Sequence, residues 1–231
     1  MKKAMKVLGI LLCAVLLVVG SVAATLAYLT AKSGTVTNTF TVGNVALKLT
    51  ETQLDENGAP VLDADNNVVR REEGNSYHLI SGNTYTKDPI VTVTINDKNT
   101  AYVRMMVEME GAEWFDIVGF LEGYDEDVWY LNNPTEQPVG DVVTYEFRYA
   151  EGAVDTSGDL PALFTAIDLK DLSTEDPKYQ AITNLKSISV EAHAIQSEGF
   201  EEIGTEGQDG YVSAEDVAWE AFDDEYAQAQ S

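Results

Sequence analysis

Cysteine is almost absent from this chain: of 231 residues, only Cys13 carries a thiol. It lies in an apolar N-terminal run that export would remove, so neither disulfides nor thiol catalysis is open to the remainder. That remainder must hold together by core burial. Histidine is nearly as scarce. His78 and His193 are the only two, neither has a partner at ligand spacing, and the helical zinc motif His-Glu-x-x-His is missing. There is no Gly-x-Ser-x-Gly elbow and no phosphate-binding glycine loop. Basic residues are outnumbered, with 14 Lys and Arg against 39 Asp and Glu. Like-charge repulsion makes nucleic acid and anionic membrane surfaces poor partners for such a surface. The acidity reads either as the charge that keeps an exported protein dispersed, or as carboxylates that cations screen or bridge to control self-association.

A long apolar run occurs at one place only. A basic start (Lys2, Lys3, Lys6) leads into Val7 to Ala24, which carries no charge, and the small residues Ala23, Ala24 and Ala27 at its end suit a signal-peptidase pocket. This is the pattern of an export signal. A retained anchor is the rival, since Val7 to Leu29 is about long enough to cross a core of roughly 30 Å. Lipid attachment at Cys13 fits less well, because Leu12 precedes it and it sits within the run. Without residues 1–27 the chain has 204 residues, a size one sandwich domain accommodates. Eleven basic and 39 acidic groups remain, a formal charge of −28.

The dominant pattern beyond the signal is period two, which predicts an all-β protein. Val103, Met105, Val107 and Met109 alternate with Arg104, Met106 and Glu108; Val143, Tyr145, Phe147 and Tyr149 alternate with Thr144, Glu146 and Arg148. Ile188, Val190, Ala192 and Ala194 alternate with Ser189, Glu191 and His193. Further strands are predicted over 39–50, 90–95, 128–131 and 163–169, separated by turn signals such as Glu56-Asn57-Gly58. Two packed antiparallel sheets are the expected result. In the first strand the apolar phase changes between Val42 and Val45, and Gly43 at the change suggests a bulge. One segment departs from the rule. Ser213 and Asp216 resemble a helix cap, and Val217, Ala218, Ala221 and Phe222 recur at helical spacing, predicting a short C-terminal helix over 214–227 with Trp219 as an anchor. No internal repeat and no second domain boundary is evident, so residues 28–231 read as a single domain.

Candidate chemistry is sparse. Asp63, Asp65 and Asn67 echo the first ligands of an EF-hand loop, but Val68 stands where the turn glycine belongs and Gly74 where the bidentate carboxylate should be. Asp209-Gly210 echoes another, with Thr205 and Gly207 at ligand positions. Both read as polar turns. His193 falls on the polar face of its strand beside Glu191 and reads as a solvated histidine. No catalytic residue, metal site or cofactor is assigned. The most aromatic region holds Trp114, Tyr124, Trp129 and Tyr130; exposed, such rings would stack on sugars, and buried, they would be core.

Residues Thr25 to Glu51 read TLAYLTAKSGTVTNTFTVGNVALKLTE. This resembles the exported proteins processed by the signal peptidase SipW, the TasA and camelysin family of biofilm-matrix proteins. The stretch TYTKDPIVTVTINDKNTAYVRMMVEM is similar to that family's Lys-Asp-Pro entry into a strand followed by a Tyr-Val-Arg strand. ISVEAHAIQSEGF, with Ala218-Trp219 beyond it, is similar to the closing strand and helix of smaller members. The resemblance implies cleavage after Ala27 with Tyr28 as the new N-terminus, a jelly-roll sandwich, and a subunit of a secreted extracellular fibre. It also implies partners: the signal peptidase during export, further copies of the same chain head to tail, and an accessory matrix protein. Membrane contact would be confined to the uncleaved signal.

Open sheets leave edge groups that a neighbour's extended segment can satisfy, and because donor and acceptor surfaces differ, such contacts do not close and propagate as filaments. The candidate donor is residues 28–38, uncharged apart from Lys32, with Tyr28, Leu29 and Val36 as its apolar side chains. The alternative is that this segment forms the first strand of its own domain. Two other functions stand beside the fibre: a binding module for a cell-wall glycan or host protein, and a camelysin-like metallopeptidase. For the latter, two unclustered histidines and scattered carboxylates offer no zinc site.

Overall fold

A computed structural model describes residues 30–33, 45–72, 74, 83–96, 99–110, 118–132, 142–169 and 187–229. Twelve strands are present among them: β1 (Thr30–Ser33), β2 (Val45–Thr52), β3 (Arg70–Arg71), β4 (Thr84–Thr86), β5 (Ile90–Ile95), β6 (Ala101–Glu110), β7 (Leu121–Glu122), β8 (Trp129–Leu131), β9 (Val142–Tyr149), β10 (Gly158–Asp159), β11 (Ala166–Asp168) and β12 (Ser187–Gln196). A C-terminal helix, α1 (Ala214–Ala229), follows. The sheets are antiparallel: five strands in the order β1-β12-β6-β9-β8, four in the order β10-β5-β2-β3, and three in the order β4-β11-β7.

Alternation decides which side chains form the core. Val103, Met105, Val107 and Met109 of β6, Val143, Tyr145 and Phe147 of β9, and Val190, Ala192 and Ala194 of β12 are all buried. They join one cluster with Val45, Leu47 and Leu49 of β2 and Val91 and Val93 of β5. The antiparallel register between β6 and β12 runs over ten residues, from Ala101↔Gln196 to Glu110↔Ser187. A one-residue slip would turn every core side chain of either strand outward, so burial fixes the register. Trp129 on β8, the strand beside β9, is fully buried, with its indole N–H donating to the Pro161 carbonyl at 3.0 Å.

Several sequence expectations differ from the structure. The strands divide into three antiparallel sheets where two were expected. The strand predicted over 163–169 narrows to Ala166–Asp168, because Leu163 and Phe164 are buried in an irregular approach whose backbone bonds to Pro89 rather than to a ladder. The helix extends to Ala229 rather than 227. His193 is not solvated: it is buried at 3 % exposure beneath α1. Residues 54–69 also hold a repeat. Leu54-Asp55 opens one turn and Leu62-Asp63 the next, and in each the aspartate Oδ1 accepts two backbone N–H groups, from Asn57 and Ala59 in the first and from Asp65 and Asn67 in the second. The fifth position of each unit has positive φ, at Gly58 (78°) and Asn66 (63°). Gln53, Val61 and Val69 then close a ring in which each backbone N–H donates to another member's carbonyl, at 2.8–2.9 Å.

The expected bulge at Gly43 lies outside the described residues. So do the export signal with Ala27, the candidate donor residues Tyr28, Leu29 and Val36, and also His78 and Trp114.

Candidate functional site

Two regions gather the features that the sequence singled out. The first is the outer edge of β12. Thr30–Ser33, within the candidate donor segment, lie antiparallel to β12 of the same chain with Thr30↔Ile195, Ala31↔Ala194, Lys32↔His193 and Ser33↔Ala192. These four residues therefore take the arrangement of a first strand of their own domain. Their ladder is short beside the ten residues that β12 shares with β6.

The second region is the outward face of the five-stranded sheet, which sequence parity marks as polar. It is largely polar, and part of it is buried. Arg104, Glu146, Arg148 and His193 are each less than a tenth exposed because α1 lies across them. Glu146 Oε1 accepts from Arg148 Nε at 2.7 Å and from Arg104 Nη1 at 3.4 Å, while its Oε2 accepts from Asn132 Nδ2 at 3.3 Å. The helix supplies the outer carboxylates, Asp223 to Arg104 and Asp216 to Arg148. The Arg104 guanidinium lies over Trp219, and the His193 ring stacks on Phe222 with centroids 4.9 Å apart. Arg104 Nε donates to His193 Nδ1 at 3.2 Å, which fixes that nitrogen as an acceptor.

Electrostatics follow from this packing. Burial works against the Arg148 charge, but the bonds to Glu146 and Asp216 outweigh it and raise its pKa above the ordinary guanidinium value. Burial likewise pushes Asp216 up, yet hydrogen bonds from Ser213 and Arg148 leave it below the usual carboxylate range. Glu215 is raised, chiefly by burial, despite accepting from the Trp219 indole at 3.2 Å. Capping explains the helix start: the Asp216 backbone N–H donates to Ser213 Oγ at 3.1 Å, and Ser213 Oγ–H donates to Asp216 Oδ2 at 2.7 Å.

The Lys87-Asp88-Pro89 motif also resolves into contacts. Asp88 accepts from the Thr52 backbone N–H at 2.7 Å, the Thr52 hydroxyl at 2.8 Å and Arg70 Nη1 at 2.6 Å. Lys87 points inward, 2 % exposed, with Nζ 2.8 Å from Glu51 Oε2. Sequence reasoning missed this pair because charge in a strand reads as solvent-facing, and β2 is buried on both faces over Leu49–Thr52.

Of the aromatic group, Trp129 is core and Tyr124 packs edge-on against Phe147 with centroids 5.5 Å apart. Trp129 is therefore not available to stack on a sugar. Asp63 spends its carboxylate on its own turn, and the same bonds hold its pKa low. Among the described residues no group of three His, Cys, Asp or Glu side chains is placed to hold a metal ion. Compared with protein-family models, curated proteins and solved structures, the chain matches none. The family resemblance therefore rests on its motifs alone.

Proposed function

We propose that this chain is a secreted structural subunit of an extracellular biofilm-matrix fibre, of the SipW-processed TasA and camelysin type. In this reading the signal is cleaved between Ala27 and Tyr28, residues 28–231 form one jelly-roll domain, and the freed N-terminal segment inserts beside β12 of the next copy. The subunit carries no catalytic step and no cofactor.

The observation that supports this reading is the place and length of β1. It stands at the end of the strand order and is held by a four-residue ladder. Main-chain hydrogen bonds contribute a net of about 0.5–1.5 kcal/mol each. A ladder this short holds the segment weakly in its own subunit. The same bonds form whether the strand comes from the same chain or a neighbour, so exchange changes little in the ladder and trades a closed contact for a propagating one. The net acidity keeps unassembled subunits apart and makes the association salt-dependent.

Electron microscopy of protein beginning at Tyr28, beside a version lacking residues 28–37, tests the proposal. Filaments from the first and none from the second are expected. A mature form that stays monomeric at high concentration across salt and pH would overturn the fibre. Equal assembly by both forms would overturn the donor assignment.

A further inference from the structure

We propose that Lys87 and Glu51 condense into an intramolecular amide, a covalent staple between β2 and the segment that carries the chain from β4 into β5. The amine and carboxylate are in contact at 2.8 Å, and the side chains are 2 % and 7 % exposed. Leu49, Pro89 and Val190 line the same pocket, so the pair reacts away from bulk water.

Both reactants are held from either side. Thr52, next to Glu51, is tied through its backbone N–H and its hydroxyl to Asp88, next to Lys87. Arg70 bridges the Thr50 carbonyl and the Asp88 carbonyl at 2.9 and 2.7 Å. On the other flank the Lys87 backbone N–H donates to Thr165 at 3.3 Å, and the Leu163 N–H donates to the Pro89 carbonyl at 3.1 Å. Groups fixed in reacting geometry behave as if at effective molarities of about 10⁵–10⁸ M. A buried ion pair is costly to maintain because two charges have left water; the amide removes both.

The step balances without a further reagent. The Nζ proton passes along the hydrogen bond to Glu51, leaving a neutral amine and a neutral acid. The nitrogen lone pair attacks the carboxyl carbon, the new C–N bond forms, and the C–OH bond breaks. The hydroxyl leaves with a second proton from nitrogen as one water molecule. Nothing is oxidised or reduced. In a chain whose one cysteine is Cys13, this linkage would provide the covalent restraint that disulfides give other exported proteins.

Intact-mass spectrometry of the folded full chain, its N-terminus read by sequencing, is the test. The expected mass is one water below that of the same chain without the linkage, and a digest contains a branched peptide joining Glu51 to Lys87. Lys87→Arg, which keeps the cation but cannot condense in this way, returns to full mass. Should that variant fail to fold, exhaustive acetylation of unfolded wild-type protein decides independently, with Lys87 alone unmodified. Full mass after prolonged incubation in the folded state, with Lys87 acetylated, overturns the proposal.

Discussion

The guanidinium carbon of Arg104 on β6 lies 4.4 Å from the ring centre of Trp219 on α1, and the two are among the least exposed side chains of the protein. This contact joins residues far apart in sequence and holds the helix on the sheet. Trp219 packs in a separate small cluster with Ile195, Ala218 and Phe222. Trp219→Ala is expected to cost about 3–5 kcal/mol, the usual range for deleting a buried large aromatic. Urea unfolding followed by far-ultraviolet circular dichroism measures it, and a loss under 1 kcal/mol would mean that α1 is held by other contacts.

Glu146 separates two buried arginines. Glu146→Gln leaves Arg104 and Arg148 side by side, with their direct ion pairs reduced to the partly exposed helix carboxylates Asp223 and Asp216 among the described residues. Breaking a buried charge network by removing one member costs about 3–5 kcal/mol. Equilibrium denaturation checks the figure; a silent substitution would show that solvent reaches the guanidinium groups.

Acid should act on α1 through two adjacent carboxylates whose pKa values are displaced in opposite directions. Asp216 is depressed, so the folded state binds its proton less readily than the unfolded chain. The stability it adds is complete above its ordinary value of 3.8 and is lost as pH falls through its lower folded value. Glu215 is raised above 4.5, so protonation as pH falls through that higher value adds stability. The expected profile is a small rise above pH 4.5 followed by a decline below pH 3.8. Ser213→Ala costs about 1 kcal/mol of helix stability and moves the acid decline upward. Trp219 fluorescence against pH reads both effects, and an unmoved acid limb in the variant would contradict the role given to Ser213.

Asn66 adopts φ of 63° in the second turn of the repeat. Replacing it with glycine, as Gly58 stands in the first turn, should be neutral or slightly stabilising, whereas Asn66→Val should cost about 1–2 kcal/mol because a β-branched side chain is strained there. Thermal unfolding of the two variants gives the comparison.

The long strands were legible because one face of each is apolar and meets the core: Val103, Met105, Val107 and Met109 of β6, Val143, Tyr145 and Phe147 of β9, and Val190, Ala192 and Ala194 of β12 recur at every second position and are all buried. β5 matched its predicted limits for the same reason. What escaped is what alternation does not encode. His193 shares the phase of solvent-facing residues, and only a helix beginning at Ala214 covers it. Lys87 and Glu51 are charged, so their burial depended on each other and on neighbours in separate strands. β3, β7 and β10 have two residues each, too few to show any period. The paired turns at Asp55 and Asp63 agree in geometry more than in letters, which is why the repeat was not seen.

Strand exchange at the β12 edge is most directly tested with paired cysteines. Ala31 and Ala194 are register partners, and a Cys13→Ser background makes Ala31→Cys and Ala194→Cys the only thiols of the chain. After assembly and oxidation, a non-reducing gel should show a ladder of covalently linked chains that collapses to one band on reduction. Assembled material that yields only monomers closed by an internal disulfide would contradict the account, because the strand beside β12 would then always be the chain's own.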